Sequence, residues 1–459
     1  MQEFPLEELE KLEKRPHLHF IGIGGVHMSA IAELLFRRGF PVTGNDRDES
    51  DNVLHLRSIG VDVRIGHKPE YVEGADIVVR NAAIHESSPD LARARELGLP
   101  VYERQEVLGA LMRGADKRVC IAGTHGKSTT TAMCARIASD QKTDPTVFCG
   151  AKIPETGIAY RFGGNGLFIA ESCEYCDAFL SFYPTHAVIL NVEPDHLDYF
   201  SGIDQIRDSF RRFASLAPET GAVIANGDDP AIRALLKDVK APVITVGWGK
   251  NNDYYPENAR TENGCYAFDV MHGGEKEAYI ALSVPGRHNV TNALAAYAVS
   301  AACGLEKEAI ARSLSGFAGT KRRFEKIGSF DGVDVIDDFA HHPTELAATI
   351  SAAGDLAYDR VICVYQPHTY SRTEALYRDF AAALQKADVA LLAPIYAARE
   401  INEHNISSHM IGDLVEGAEV LSSFDEIEAR VREIAKPGDL VMTVGAGDIY
   451  KVGYRLIGR

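Results

Sequence analysis

The residues Gly123, Thr124, His125, Gly126, Lys127, Ser128, Thr129, Thr130 and Thr131 form the densest chemical run in the chain. They follow the apolar stretch Val119–Ala122, so the local pattern is a buried strand, a glycine turn and then a helix. Such a turn aims several backbone N–H groups at one spot, and the helix N-terminus adds partial positive charge there. Lys127 contributes a full charge, and Ser128 a hydroxyl able to ligate Mg²⁺. The chemistry this suits is the holding of nucleotide phosphates, with Gly123 to Thr129 as the binding residues. The longer phosphate-loop pattern would place glycine at position 121, where this chain has isoleucine, so the loop is a shorter relative of that pattern. A merely structural turn leaves the lysine and the hydroxyl run without a purpose.

Two further groups are expected beside this loop. Glu171 ends the apolar run Leu167–Ala170, and His196 follows a second apolar strand at Ala187–Asn191. Ligands of open α/β sheets collect at the carboxyl ends of strands, which brings both residues towards the loop. Ser128 and Glu171 are therefore the expected metal ligands, and His196 is either a further ligand or a hydrogen-bonded loop histidine. Mg²⁺ favours the oxygen donors, and Mn²⁺ suits the imidazole as well. Cys173 and Cys176 form a CxxC, but no second pair accompanies them, and they are read as ordinary cysteines near that strand.

Earlier in the chain Gly22, Gly24, Gly25, Val26 and His27 form another glycine turn after the strand 18–23. The spacing GxGGxxM differs from the dinucleotide GxGxxG, and Asp46 ends the next strand where an acid meets a ribose hydroxyl. The turn fits a nucleotide that carries a diphosphate. NAD is one such nucleotide, yet nothing else in the chain supports hydride transfer.

These residues need sheets to position them. Strands are expected at 18–23, Val42–Asp46 and 76–79, with a helix from Met28 to Arg38 between the first two. A polar stretch near 112–117 separates these from strands at Arg118–Ala122, Leu167–Glu171 and Ala187–Asn191, and from a helix at Asn289–Cys303. After the basic cluster Lys321, Arg322 and Arg323 come strands at Val333–Asp337, Arg360–Tyr365, Val389–Ala393 and Asp439–Val444. Strands alternating with helices imply parallel sheets. The expected architecture is α/β in three domains. Residues 1–115 form a Rossmann-like N-terminal domain, 116–318 a central P-loop ATPase-like domain, and 319–459 a C-terminal Rossmann-like domain.

Composition agrees with this. The chain has 459 residues, 46% of them hydrophobic and 25% charged, which is the mix of a globular protein with ample core. Its formal charge of −17 argues against nucleic acid or an anionic membrane as partner. No apolar run is long enough to span a bilayer, and the acidic start lacks the pattern of a secretory signal. Eight cysteines in such a length do not make a disulfide scaffold, so a reducing cytoplasm is the expected location.

Several further motifs occur in one order: Pro285 to Ala293 with His288, Asn289 and Asn292; Arg322, Arg323, Phe324 and Glu325; Asp337 to Glu345; and Gln366 to Thr373. Together with the phosphate loop and the segment order, they resemble the Mur ligase family over about residues 18 to 450. Within it, GIGGVHMSAIAELL, RRFE, DDFAHHPTE and QPHTYSRT are similar to the branch that adds L-alanine to UDP-N-acetylmuramate. That resemblance implies an ATP-dependent acid–amino-acid ligase of cell-wall precursor synthesis, acting through an acyl phosphate.

The resemblance also implies roles. Gly22, Gly24, Gly25, Val26, His27 and Asp46 would hold the sugar nucleotide. Lys127 and Ser128 would take ATP phosphates and metal, with Glu171 and His196 as the other metal ligands. His288, Asn289 and Asn292 would reach the adenine side, and Arg323 with Asp338 the ATP from the third domain. Arg372 would pair with the amino-acid carboxylate, and His342 would accept the amine proton; these two and Lys127 are the expected catalytic residues. The chain departs from the family pattern where Ser128 replaces threonine, where Thr369 replaces a second arginine, and at Cys173 to Cys176. It also has no lysine near Arg211, where other branches carry a carbamylated one. The alternatives are a relative adding another amino acid or a peptide, an NAD-dependent oxidoreductase, and a non-catalytic nucleotide-binding regulator. Monomer and dimer both stay open.

Overall fold

A computed structural model describes residues 3–153, 157–262, 264–398 and 400–459. Three sheets follow one another along the chain. The first has five parallel strands in the spatial order Asp62–Ile65, Val42–Asp46, Leu18–Ile21, Ile77–Arg80 and Val101–Glu103. The order reverses at Leu18–Ile21, so the glycine turn that follows this strand sits at a switch point, where ligands bind in such sheets.

The second sheet has ten strands. At its centre Lys117–Ala122 lies between His186–Ile189 and Leu167–Glu171, all three parallel. The phosphate loop therefore leaves its strand flanked by the ends of the two strands that deliver Glu171 and His196. Side chains alternate between two cores. Cys120, Ala122, Ala187 and Ile189 pack in one cluster that is continuous with the first domain's Leu18 and Phe20. Val119, Ile121, Val188 and Leu190 pack in another, with Ile137 of the helix Lys127–Asp140 and Leu294 of the helix His288–Ala302. Burial on both faces is why these strands read as unbroken apolar runs.

The third sheet has six strands, with Leu440–Val444 between Val333–Asp338 and Val361–Tyr365. It alternates likewise: Cys363 and Tyr365 face one cluster, Ile362 and Val364 another.

The expected strands and helices are present with ends shifted by a few residues. Two features differ from expectation. The stretch near 112–117 is not simply a polar linker: Met112 is fully buried inside the helix Arg104–Arg113, and its sulfur meets Cys120 Sγ at 3.9 Å. The second sheet also carries an antiparallel meander, Tyr254–Glu262, Cys265–His272 and Glu275–Pro285, which the pattern reading did not include.

Candidate active site

Gly126 caps the helix Lys127–Asp140 with φ of +79°, a left-handed conformation. A Cβ there would stand 2.5 Å from Asn292 Oδ1, so both backbone angle and space demand glycine. The turn is held by Asn191, whose Oδ1 accepts from His125 N at 2.7 Å. Lys127 is folded back onto its own loop: Nζ donates to the carbonyl of Gly123, to that of Thr124 at 3.1 Å, and to Glu174 Oε2 at 3.2 Å. Burial opposes its charge, but Glu174, Cys173, Glu171 and Asp195 outweigh that and hold it firmly protonated.

A cavity of about 280 Å³ opens beside the loop, between the second and third sheets. His125, Gly126 and Thr129 line it from the loop, and His288, Asn289 and Asn292 from the helix His288–Ala302. Arg323 and Asp338 complete it from the third domain. Eight residues singled out for ATP thus meet in one space, though far apart in sequence. Gly123, Thr124, Lys127 and Ser128 are not among its walls; they shape or underlie the turn. Asp338 is fixed by N–H donors from Phe324 (2.7 Å) and Ala340 (2.8 Å), and burial lifts its pKa to about 6 against the pull of Arg323.

Glu345 ties this cavity together, and motif reading did not single it out. It faces His125 Nδ1 at 3.4 Å and Arg323 Nη1 at 3.7 Å, and accepts from the backbone N–H of His341 at 3.0 Å. Burial alone would raise its pKa, but His341, His125 and Arg323 hold it well below the usual carboxylate range. His125 lies between Glu345 and Glu193; although burial works against its charge, the two carboxylates lift its pKa to about 9. These contacts clasp the central domain to the third.

His342 belongs to the same clasp. Its Nδ1 accepts from Thr344 N at 3.3 Å, capping the helix Pro343–Gly354, and its Nε2 bonds the carbonyl of Pro194 at 3.1 Å. Nε2 carries the proton it donates to that carbonyl, so accepting a proton from an amine requires Nδ1 first to be released by Thr344.

A second cavity, about 210 Å³, lies nearby and includes Asp195, His196, His341, Thr369 and Arg372 in its walls. Arg372 donates to Asp195 rather than standing free. Three non-glycine residues in this wall have positive φ: His196 (+52°), Thr369 (+67°) and Ala398 (+52°). Backbone strain of this kind costs roughly 1–3 kcal/mol per residue and concentrates at ligand sites.

Glu171 and His196 are not in one cluster. Glu171 Oε2 accepts from Gly150 N at 2.7 Å, while His196 shares a cation-sized grouping with Cys173 and Glu174, their donor atoms within 4.8 Å of one another. Carboxylate and hydroxyl oxygens from Glu171, Glu174 and Ser128 are a donor set that fits Mg²⁺, and an imidazole beside a thiol leans towards a softer ion.

The third space is a cleft of about 320 Å³ between the first and second domains. Gly25, Val26 and His27 line it, facing Arg104, Gly150 and Cys173. Gly22 and Gly24 lie in the turn beneath. Asp46 serves that turn: Oδ2 accepts from Gly24 N at 2.8 Å and Oδ1 from Asp48 N at 3.3 Å. A ribose hydroxyl would have to share this carboxylate with the backbone. Arg104 was not legible as a site residue, because a lone arginine after a short strand reads as surface.

Comparison with known proteins agrees with this layout. Residues 17–115 match the description "Mur ligase family, catalytic domain", 121–300 "Mur ligase middle domain", and 322–447 "Mur ligase, glutamate ligase domain". A UDP-N-acetylmuramate–L-alanine ligase of Agathobacter rectalis is 44% identical over 96% of this chain and 97% of its own length. The chain belongs to the Mur ligase family. One from Caldanaerobacter subterraneus subsp. tengcongensis is 43% identical over 97% of this chain and 98% of its own. Among solved structures, the UDP-N-acetylmuramate–alanine ligase of Thermotoga maritima superposes with a TM-score of 0.82 at 27% identity, over 96% of this chain and 98% of that one. A murein peptide ligase from Psychrobacter arcticus gives 0.75 at 26% identity, with the same coverage. No helix among the described residues is long and apolar enough to cross a membrane.

Proposed function

We propose that this chain is an ATP-dependent ligase that joins L-alanine to the carboxylate of UDP-N-acetylmuramate in peptidoglycan-precursor synthesis. The observation that carries the reading is near-full-length identity, 44% and 43%, to two ligases named for that reaction. The geometry supports it with a phosphate loop that adjoins spaces suited to a nucleotide, a small amino acid and a sugar nucleotide.

The chemistry follows from a poor leaving group. A carboxylate would have to expel oxide, so one of its oxygens first attacks the γ-phosphorus of ATP, and ADP departs. The amine then attacks the acyl carbon, and phosphate leaves from the tetrahedral oxyanion while the amine gives up its proton. Negative groups converge in an acidic protein, so local positive charge must hold them. We assign the phosphates to Lys127 and the N–H groups of Gly123–Thr129, with Arg323 approaching from the third domain. His288, Asn289 and Asn292 shape the adenine end, and Arg372 takes the amino-acid carboxylate. His342 holds the domains together and becomes a proton acceptor only when its Nδ1 is released by Thr344.

Mg²⁺ would be held by Ser128 and Glu171, and a second divalent ion by His196; such ions neutralise charge on the transferring phosphoryl group. Gly22, Gly24, Gly25, Val26, His27 and Asp46 form the sugar-nucleotide end. A reaction fed by ATP places the enzyme in the cytoplasm. The deciding assay is phosphate release with a panel of amino acids. Release must require both UDP-N-acetylmuramate and an amino acid, fastest with L-alanine. Release that needs neither, or that needs a peptide, overturns the reading.

A further inference from the structure

Arg104 opens the helix Arg104–Arg113, directly after the strand Val101–Glu103. Its side chain is only partly exposed, in the wall of the cleft between the first and second domains. Nη1 donates to His27 Nδ1 at 2.8 Å. Among the described residues this is the single hydrogen bond of its guanidinium, and no carboxylate forms an ion pair with it. A guanidinium has five N–H donors, and withdrawing its charge from water without a counter-ion is costly. Desolvation already works against that charge here. The other guanidinium donors open on the cleft, where an entering anion can meet them.

The position says which anion. Arg104 and Cys173 line the same cleft, Cys173 Sγ lies within 4.8 Å of a Glu174 carboxylate oxygen, and Glu174 Oε2 accepts from Lys127 Nζ of the phosphate loop at 3.2 Å. Arg104 from the first domain and Lys127 from the second therefore flank the same spot. A diphosphate in this cleft has other donors, the backbone of the Gly25 turn and the start of the helix Val26–Arg37. The group that must come next to the phosphate loop is the one to be phosphorylated.

We propose that Arg104, oriented by His27, binds the reacting carboxylate of the acid substrate and holds it facing the phosphate loop. This rests on the ligase reading and adds the residue that aligns its acid. The guanidinium fork matches a carboxylate in shape as well as charge. With one carboxylate oxygen held more closely, the other is free to attack the γ-phosphorus. The new O–P bond forms as the bond from that phosphorus to the β–γ bridging oxygen breaks, and the bridging oxygen keeps the electron pair.

Calorimetric titration of the full-length protein with two nucleotides tests this. UDP-N-acetylmuramate carries the carboxylate, and UDP-N-acetylglucosamine has the same diphosphate without it. Arg104→Gln is expected to raise Kd for the first by about 30-fold or more, and to change Kd for the second by less than about threefold. Arg104→Lys is expected to recover part of the loss. The proposal is overturned if the Gln variant binds UDP-N-acetylmuramate as the wild type does. It is equally overturned if both nucleotides weaken together, since that assigns Arg104 to the diphosphate or to the fold. Should the Gln variant not fold, the Lys variant decides: selective weakening for UDP-N-acetylmuramate supports the proposal, and wild-type affinity for both overturns it. A wild-type chain that binds neither nucleotide overturns the ligase reading itself, a different result from a wild type that binds and a variant that binds equally well.

Discussion

Arg372 donates from Nε at 3.1 Å and from Nη2 at 2.8 Å to a single oxygen of Asp195, joining the helix Tyr370–Leu384 to the loop after His186–Ile189. Burial alone would raise the pKa of Asp195, but Arg372, His196 and His341 hold it far below the usual carboxylate range. The pair spans the junction of the second and third domains and lies in the wall of the smaller cavity. Asp195 thus fixes the guanidinium before any amino acid arrives.

Arg372→Ala is therefore expected to raise KM for L-alanine at least tenfold, with a smaller change in KM for ATP; losing one partner of such a pair typically costs about 2–5 kcal/mol. Asp195→Asn should raise the same KM by less, because the arginine stays but loses its orientation. Steady-state kinetics with each substrate varied checks both. An unchanged KM for alanine in Arg372→Ala removes the assigned role.

The parts of this site that were legible in sequence share one property: each belongs to a run that breaks the ordinary rules of its element. Gly126, Lys127 and Ser128 interrupt a strand-to-helix transition, and Leu167–Glu171 and His186–Ile189 lie in strands without polar alternation because both faces are covered. Arg104, Asp195 and Glu345 were not legible, since a lone charge looks the same at a surface and in a clasp. Their partners lie far off in the chain: Arg372 is 177 positions from Asp195, and Arg104 is 77 from His27. The meander Tyr254–Pro285 escaped for a different reason. Its strands expose many residues, so they lack the long apolar runs that marked the buried ones.

Lys127→Ala should lower kcat for ligation by about 100-fold or more, the usual effect of deleting a preorganised charge donor at a reacting centre. Its Nζ now closes on Gly123, Thr124 and Glu174, contacts that incoming phosphates must replace. Rapid-quench measurement of ADP formation reads this step. Ligation at the wild-type rate would remove the phosphate loop from the mechanism.

Gly126→Ala probes the loop by shape instead of charge. The added methyl meets Asn292 Oδ1 at 2.5 Å, and φ of +79° strains any residue with a Cβ. KM for ATP should rise about tenfold or more, given roughly 1–3 kcal/mol of strain. KM for alanine should stay close to the wild-type value, because Gly126 lies outside the second cavity. A uniform rise in both would mean that the loop supports the whole domain junction.

The clasp at His125 gives stability a pH dependence of fixed sign. His125 has a folded pKa of about 9, above its ordinary value of 6.5: burial opposes its charge, but Glu193 and Glu345 overcome that. A histidine whose pKa is raised by folding contributes its full stabilisation below the unfolded pKa and loses it as pH climbs through the folded one. Tm should therefore fall between about pH 6.5 and 9 through this group, and the central and third domains should separate more readily at the upper end. Replacing His125 with Gln should flatten that part of the profile, while Glu193→Gln should lower the pH at which the decline is complete, because it lowers the folded pKa and leaves the unfolded one unchanged. Differential scanning calorimetry across this range, with small-angle scattering for the domain separation, measures both effects. A profile as steep in His125→Gln as in the wild type would assign the decline to other groups and leave the His125 clasp without a measurable share in holding the domains together.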